Sequence, residues 1–145
     1  MATLKEVSVF TLSAKGVYGL TAVLELGMRY QAGAVQIREI AERYDIPQHY
    51  LEQILVALRR AGLVHSIRGA AGGYMLSRPP SQVLVQDVLT TLEGRLAVVP
   101  EAHKENALAF FWSELHRELA ALLDRTVEDL IIGKQQAEAR YMYSI

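Results

Sequence analysis

The 145 residues contain no cysteine. That excludes disulfides, thiol nucleophiles and any thiolate-held zinc or iron–sulfur centre. Long hydrophobic runs are also missing. Apolar residues make up 51% of the chain, enough for a real core, but no run approaches the ~20 residues of a membrane span, so no membrane partner is expected. The first ten residues, which include Lys5 and Glu6, lack the apolar stretch of a secretory leader. A cytoplasmic location is therefore expected. The four histidines, His49, His65, His103 and His116, are dispersed and do not form a ligand set. Glu101, Glu105 and Glu114 lie near the last two, but solvated polar residues are expected there, with no metal and no other cofactor. No nucleophile elbow, paired catalytic carboxylates or nucleotide fingerprint is present, so no enzymatic activity is expected.

An excess of charge of one sign is absent too: the formal net charge is −1. Its distribution is more informative. Residues 1–80 carry a net charge of +3 and residues 81–145 a net charge of −4. A basic first half joined to an acidic second half points the first half at an anion.

What is present is a succession of short amphipathic segments. Residues 1–11 form a strand-like or weakly ordered arm. Ser13 caps a helix reaching about Tyr30, whose apolar residues Val17, Leu20, Leu24 and Met28 recur at helical spacing. Gly16, Gly19 and Gly27 weaken that helix and let another element approach it closely. After a turn around Gly33 comes a helix from Gln36 to Tyr44, with Ile37, Ile40, Ala41 and Tyr44 on one stripe. Asp45-Ile46-Pro47 breaks the chain. A further helix runs from Pro47, placed in its first turn, to about Ala61, and Gly62 ends it in the left-handed conformation.

Two β-like runs, Leu63–Ile67 and Tyr74–Ser77, flank the loop Arg68-Gly-Ala-Ala-Gly-Gly73 and form a hairpin. Pro79-Pro80 ends it. The spacing then predicts a helix over Val85–Leu92, a polar loop through Pro100, and a long helix from Lys104 to Asp124. A last helix starts at Thr126-Val-Glu-Asp129, a capping box with Asp in place of Glu. Tyr141–Ile145 are expected to be loose. The fold class is mainly α with a small β-wing: a winged helix-turn-helix over residues 1–83, followed by a helical dimerisation region over 84–145.

The second helix of such a motif is the recognition helix. Leu51, Ile54, Leu55 and Leu58 cluster on one face and should be buried. His49, Gln53, Val56 and Arg60 fall opposite, flanked by Tyr50, Glu52 and Arg59. Gln pairs bidentately with adenine, Arg with guanine, and Val touches a thymine methyl; Tyr and Arg also hold phosphates. Arg68 and Gly69 place a cation and a closely approaching backbone at the wing, where a narrow minor groove attracts arginine. The loop is not a phosphate-binding P-loop, because no Gly-Lys-Ser/Thr follows and it opens a strand. On the long helix, Leu108, Phe111, Trp112, Leu115, Leu119, Leu122 and Leu123 share one wide face, with Phe110 on the far side. The first ~80 residues are expected to close their own core, which leaves this face for a second subunit.

Several stretches carry a family resemblance: Ser13-Ala-Lys-Gly-Val-Tyr18, Ile40-Ala-Glu-Arg43, Ile46-Pro-Gln-His-Tyr-Leu-Glu-Gln-Ile54, Leu58-Arg-Arg-Ala-Gly-Leu-Val-His-Ser66, Arg68-Gly69, Gly72-Gly-Tyr74 and Glu93-Gly94. Together they resemble the bacterial winged-helix regulators that include IscR, NsrR and CymR, densely over residues 12–95 and more weakly through Trp112 and Thr126–Leu130. The resemblance implies a dimer with crossed long helices. It implies that His49, Tyr50 and Gln53 lie in the major groove, Arg68 in the minor groove, and Lys15 and Tyr18 beside the DNA backbone. Glu52 takes the place of a glutamate that modulates site choice in the iron–sulfur members. Those members carry three cysteines, and in some a histidine, between the Glu-Gly pair and the tryptophan. Counted back from Trp112, the last cysteine position holds Asn106 and the histidine position Ala109.

The expected function is therefore a sequence-specific regulator of transcription, a repressor, binding double-stranded DNA as a homodimer on a palindromic operator without an iron–sulfur cluster, with an effector unknown. The alternative is a winged-helix adaptor for another protein. An outward His-Gln-Val-Arg stripe favours DNA, where an apolar one would favour protein.

Overall fold

The computed structural model describes residues 12–144; the proposed N-terminal arm lies outside them. The elements run α1 (Ala14–Met28), a 3₁₀ turn (Tyr30–Ala32), α2 (Ile37–Tyr44), α3 (Gln48–Arg60), β1 (Val64–Ile67), β2 (Gly73–Leu76), a 3₁₀ turn (Pro80–Gln82), α4 (Val85–Glu93), a 3₁₀ turn (Glu101–His103), α5 (Ala109–Leu123) and α6 (Val127–Ser144). The winged helix-turn-helix expected from the sequence is what the chain forms.

The Ser13 hydroxyl caps α1 by accepting from the Gly16 N–H. The packing face of α1, however, is not the Val17–Leu20–Leu24–Met28 stripe. Val17 is 50% exposed and Met28 37%, and Leu20 and Leu24 are half-buried. The buried face is instead Gly16, Gly19, Ala22, Val23, Leu26 and Gly27, with Glu25. The reason is close approach. A Cβ on Gly19 would lie 2.1 Å from Leu92 Cδ1 of α4, and one on Gly27 would lie 2.9 Å from Val127 Cγ1 of α6. A face lined by glycine has little hydropathy but lets two helices pack against its backbone.

Helix α2 packs Ile40 and Ala41 into the core, with Ile37 and Tyr44 against its edge. Asp45 turns the chain in the left-handed region, φ 53°, a conformation that Asp tolerates better than most residues. Ile46 is buried behind it. Pro47 proves to be the N-cap of α3, one residue before the first helical position. Helix α3 ends as expected at Gly62, φ 79°. The Leu63 N–H donates to Leu58 O (3.0 Å) and the Gly62 N–H to Arg59 O (2.9 Å), the paired bonds of a Schellman stop.

In the hairpin, Val64 pairs with Leu76 and Ile67 with Gly73. Val35, just before α2, exchanges both backbone bonds with Tyr74 at 2.8 Å, so the wing is tied to the helix-turn-helix as a third, one-residue rung. A second bridge, Leu84 to Thr126, fixes the start of α6 beside the start of α4. There the Thr126 capping box forms in full: the Thr126 N–H donates to Asp129 Oδ2 (2.9 Å) and the Asp129 N–H to Thr126 Oγ1 (3.1 Å). Hydrogen bonding to the carboxylate from the Thr126 backbone N–H, and then from the Thr126 side chain, holds the Asp129 carboxyl below its usual range.

Three expectations need correction. The core does not close within the first ~80 residues, because Val88 and Leu92 of α4 and Val127 of α6 belong to the same cluster as Leu26, Ile54 and Leu55. Helix α5 starts at Ala109 rather than Lys104, and Leu108 is its N-cap. Asn106 Oδ1 accepts from the Leu108 N–H (2.8 Å) and from Trp112 Nε1 (2.9 Å); this local side-chain turn competes with helix in the residues before it. Tyr141–Ser144, expected to be loose, continue α6 as helix.

Candidate nucleic-acid interface

The periodicity of α3 sorts its residues as the helical wheel requires. Leu51, Ile54, Leu55 and Leu58 are buried, and each buried leucine or isoleucine contributes roughly 1.5–3 kcal/mol to holding the helix. His49, Glu52, Gln53, Arg59 and Arg60 are exposed, while Val56 is half-buried. Helix α3 is therefore anchored along one side and free along the other.

The structure brings some of the proposed contact residues together. Tyr50 is half-buried and meets Tyr18 of α1 edge to face, with ring centroids 5.7 Å apart at 83°, a favoured aromatic geometry. Lys15 stands exposed three residues before Tyr18, on the same face of α1. His49 and Gln53 face each other one turn apart, their Nε2 atoms at 3.2 Å. Arg68 and Gly69 are exposed in the wing loop, which the Gly72 N–H closes onto Gly69 O at 3.0 Å.

Arg59 and Arg60 are set apart from this group. At 1.5 Å per residue they lie about 16 Å along the α3 axis from His49. They occupy the last turn, where a cation also suits the helix dipole.

Two further groupings were not anticipated from the sequence. Glu25, 1% exposed, is the buried charged residue of the core. Its carboxylate accepts from Tyr44 Oη at 2.5 Å and from Arg43 Nη1 at 3.0 Å. Arg29 lies 3.5 Å from it and also pairs with Glu39. The network locks α1 to α2, and so sets where α3 is carried. Burial, reinforced by the Glu25 carboxylate, pushes the Tyr44 hydroxyl up to about 12. The signal in the sequence was an acid inside an apolar run, Leu24-Glu25-Leu26. The second grouping is Glu93 on Ser13; Glu93 had been noted only as part of a motif.

Against the described residues of its own chain, helix α5 buries none of its residues fully. Trp112, Leu115, Leu119 and Leu123 are half-buried, while Leu108, Phe111 and Leu122 are exposed. Phe110, on the other side, is 74% exposed. Between α4, the loop after it and α5 lies a cleft of about 830 Å³, lined by Thr90, Arg95, Glu101, Trp112 and His116 among others.

The comparison with known proteins agrees with this architecture. The Rrf2 family, described as "Iron-dependent Transcriptional regulator", matches residues 12–132. The chain belongs to the Rrf2 family. Among its relatives, the HTH-type transcriptional regulator CymR of Bacillus subtilis is 37% identical over 136 residues, covering 92% of this chain and 99% of that protein. The solved structure of CymR, described as the global cysteine regulator of B. subtilis, superposes with a TM-score of 0.78 at 36% identity, covering 85% of this chain and 97% of that one. The structure of T. potens IscR superposes with a TM-score of 0.72 at 36% identity over 92% of this chain and 96% of that one. The chain is thus a winged-helix, DNA-binding regulator of transcription of the Rrf2 type.

The iron in the family description does not fit the donors present. Iron–sulfur clusters are held by thiolates, and the chain has none. Asn106, at the last cysteine position, already uses its side-chain oxygen on Trp112 and Leu108. Ala109 offers a methyl. Among the described residues, no three His, Asp or Glu side chains converge as metal ligands would. Nor is any helix among them long and apolar enough to cross a membrane.

Proposed function

We propose that this Rrf2-family chain is a sequence-specific repressor that binds a palindromic DNA operator as a homodimer and needs no iron–sulfur cluster to do so. The observation that carries the proposal is the division of α3: four apolar residues hold one side in the core, while His49 and Gln53 stand free at the N-terminal end of the other. That end is the one a recognition helix presents to base edges. Tyr50, with Tyr18 against it, and Lys15 flank the major groove on the backbone side. Arg59 and Arg60 take phosphates near the C-terminal end of α3. Arg68 and Gly69 carry the wing to the minor groove.

Residues 1–83 serve as the DNA-binding region and 84–145 as the dimerisation region. The face of Leu108, Phe111, Trp112, Leu115, Leu119 and Leu122 pairs with its copy in a second subunit, because the described residues of one chain leave Leu108, Phe111 and Leu122 exposed and cover Trp112, Leu115 and Leu119 only in part. A two-fold dimer sets its recognition helices on half-sites about one helical turn apart, ~34–36 Å. Occupying both sterically closes that stretch of duplex, which is why the regulation is read as repression. The cleft beside Trp112 is the place we assign to an effector.

Selection of bound duplexes from a random pool, using metal-free protein, tests the whole proposal. The expected result is one enriched, two-fold symmetric sequence whose binding weakens steeply with salt. Recovery of no preferred sequence, or of an unpaired half-site at saturation, rejects it. Reconstitution with iron and sulfide tests the cofactor separately: a chromophore near 400 nm that alters operator affinity would overturn the cluster-free reading.

A further inference from the structure

Glutamine is an ambivalent reader of bases. Its amide presents a carbonyl acceptor on one side and an NH₂ donor on the other, and a half-turn about its last torsion exchanges them. On the open face of α3 this ambiguity is removed by a neighbour. Gln53 Nε2 lies 3.2 Å from His49 Nε2, and both side chains are exposed. Among the described residues, His49 is the group hydrogen-bonded to Gln53.

An amide nitrogen carries two hydrogens and can only donate. The imidazole nitrogen opposite serves as the acceptor in the tautomer that carries its proton on Nδ1. The bond holds the amide nitrogen back toward the N-terminus of α3 and turns Oε1 away from His49. One amide hydrogen remains free beside Oε1, so the acceptor–donor edge that pairs with adenine N6 and N7 is kept intact.

We infer that His49 is a positioning residue that fixes the orientation of the Gln53 amide, and through it which class of base Gln53 selects. With an acceptor at position 49, the group offered to the groove is Oε1, which matches a base bearing an exocyclic amino group, adenine above all. With a donor at position 49, Oε1 is drawn back and NH₂ is offered, which matches an exocyclic carbonyl, guanine O6 or thymine O4. The inference rests on α3 being the recognition helix and deepens that proposal.

The test is a comparison of base preference, not of affinity. His49→Lys places only donors beside Gln53, and His49→Glu only acceptors. Each is made with Gln53 present and with Gln53→Ala, and all are run through the same selection from a duplex pool. The position to inspect is the one whose preference Gln53→Ala removes. Wild type and His49→Glu should favour an amino-bearing base there. His49→Lys should reverse the preference toward a carbonyl-bearing base, by about tenfold, which is the scale of one base-edge bond pair. His49→Gln, able to donate or accept, should leave the two classes nearly equal. Any direct reading of the base by the new residue 49 appears in the Gln53→Ala background and is divided out of the ratio.

Position 49 is exposed in the first turn of α3, and matched thermal melts of the variants establish that each is folded. Lys and Glu variants that keep the wild-type base ratio would overturn the inference. So would a reversal that persists in the Gln53→Ala background, since residue 49 would then read the base itself. If wild type enriches no sequence at all, the recognition-helix proposal falls, and this inference with it; that result is distinct from the other two.

Discussion

Glu93, the last residue of α4, closes its carboxylate over Ser13, the residue that caps α1: it accepts from the Ser13 N–H at 2.9 Å and from the Ser13 hydroxyl at 2.8 Å. Gly16 makes room, since a Cβ there would lie 2.2 Å from Glu93 Oε2. The clasp joins the segment entering the α4–α5 loop to the helix turn that carries Lys15 and Tyr18.

Removing either partner should cost about 1 kcal/mol, the scale of an exposed cap. The double variant Ser13→Ala/Glu93→Ala should lose little more than either single one, because the two residues act as a unit. Gly16→Ala adds a revealing third term. In the Glu93→Ala background it should stabilise by up to about 1 kcal/mol through helix propensity. In wild type that gain should be offset by displacement of Glu93. Urea unfolding of wild type and the five variants measures all of this; fully additive losses would mean that no clasp exists in solution.

The Glu25–Tyr44 pair makes a prediction about alkali. Tyr44 titrates near 12 in the fold, against about 10 for an unfolded tyrosine. The folded state therefore holds this proton more tightly. The stabilisation is fully present below pH 10 and is lost as pH rises from about 10 through 12. Of the seven tyrosines, one should ionise late in an absorbance titration at the phenolate band. That step should vanish in Tyr44→Phe, whose stability should also fall less steeply above pH 10. A late step that survives the substitution would assign it to another tyrosine.

Much of this arrangement could be read from the sequence, and the exceptions share a cause. The α2–turn–α3 unit and the wing were legible because their burial follows side-chain hydropathy: Ile40, Leu51, Ile54 and Leu58 are apolar and buried. Helix α1 was misoriented because Gly19 and Gly27 pack by having no side chain, and no hydropathy period reports that. The start of α5 was placed too early because one side-chain oxygen, that of Asn106, holds both Leu108 and Trp112 and competes with a local preference for helix. The Glu25 network joins residues 25, 43 and 44 through a tertiary contact that spacing alone does not disclose.

The wing makes a prediction about salt. Arg68 is exposed in the wing loop. If it neutralises one phosphate per subunit, Arg68→Ala should weaken binding to all sequences and reduce the slope of log affinity against log salt by about one for each subunit. If the guanidinium instead enters a narrow minor groove, the loss should be largest for A·T-rich flanks. Binding titrations at several salt concentrations, on A·T-rich and G·C-rich flanks, separate the two. Unchanged affinity at matched salt would remove the wing from the interface.

The dimer is the remaining element to test, and α5 offers two kinds of substitution. Leu115 and Leu119 are half-buried against their own chain, so truncating both to alanine removes packing within the subunit as well as between subunits. At ~2–5 kcal/mol for each buried leucine, doubled by symmetry, this variant should dissociate or unfold. Leu122→Glu discriminates better. Leu122 is 56% exposed within one chain, so a carboxylate there is solvated in the monomer and leaves its fold intact. Across a two-fold α5–α5 contact, the same change would bury two like charges near each other, a burial that stays unfavourable without partners. Sedimentation should therefore show a folded monomer, with the helical circular dichroism of wild type and operator affinity reduced at least a hundredfold. A Leu122→Glu protein that sediments as a dimer and binds DNA normally would place the interface on another face, and Phe110, at 74% exposure, would be the residue to change next.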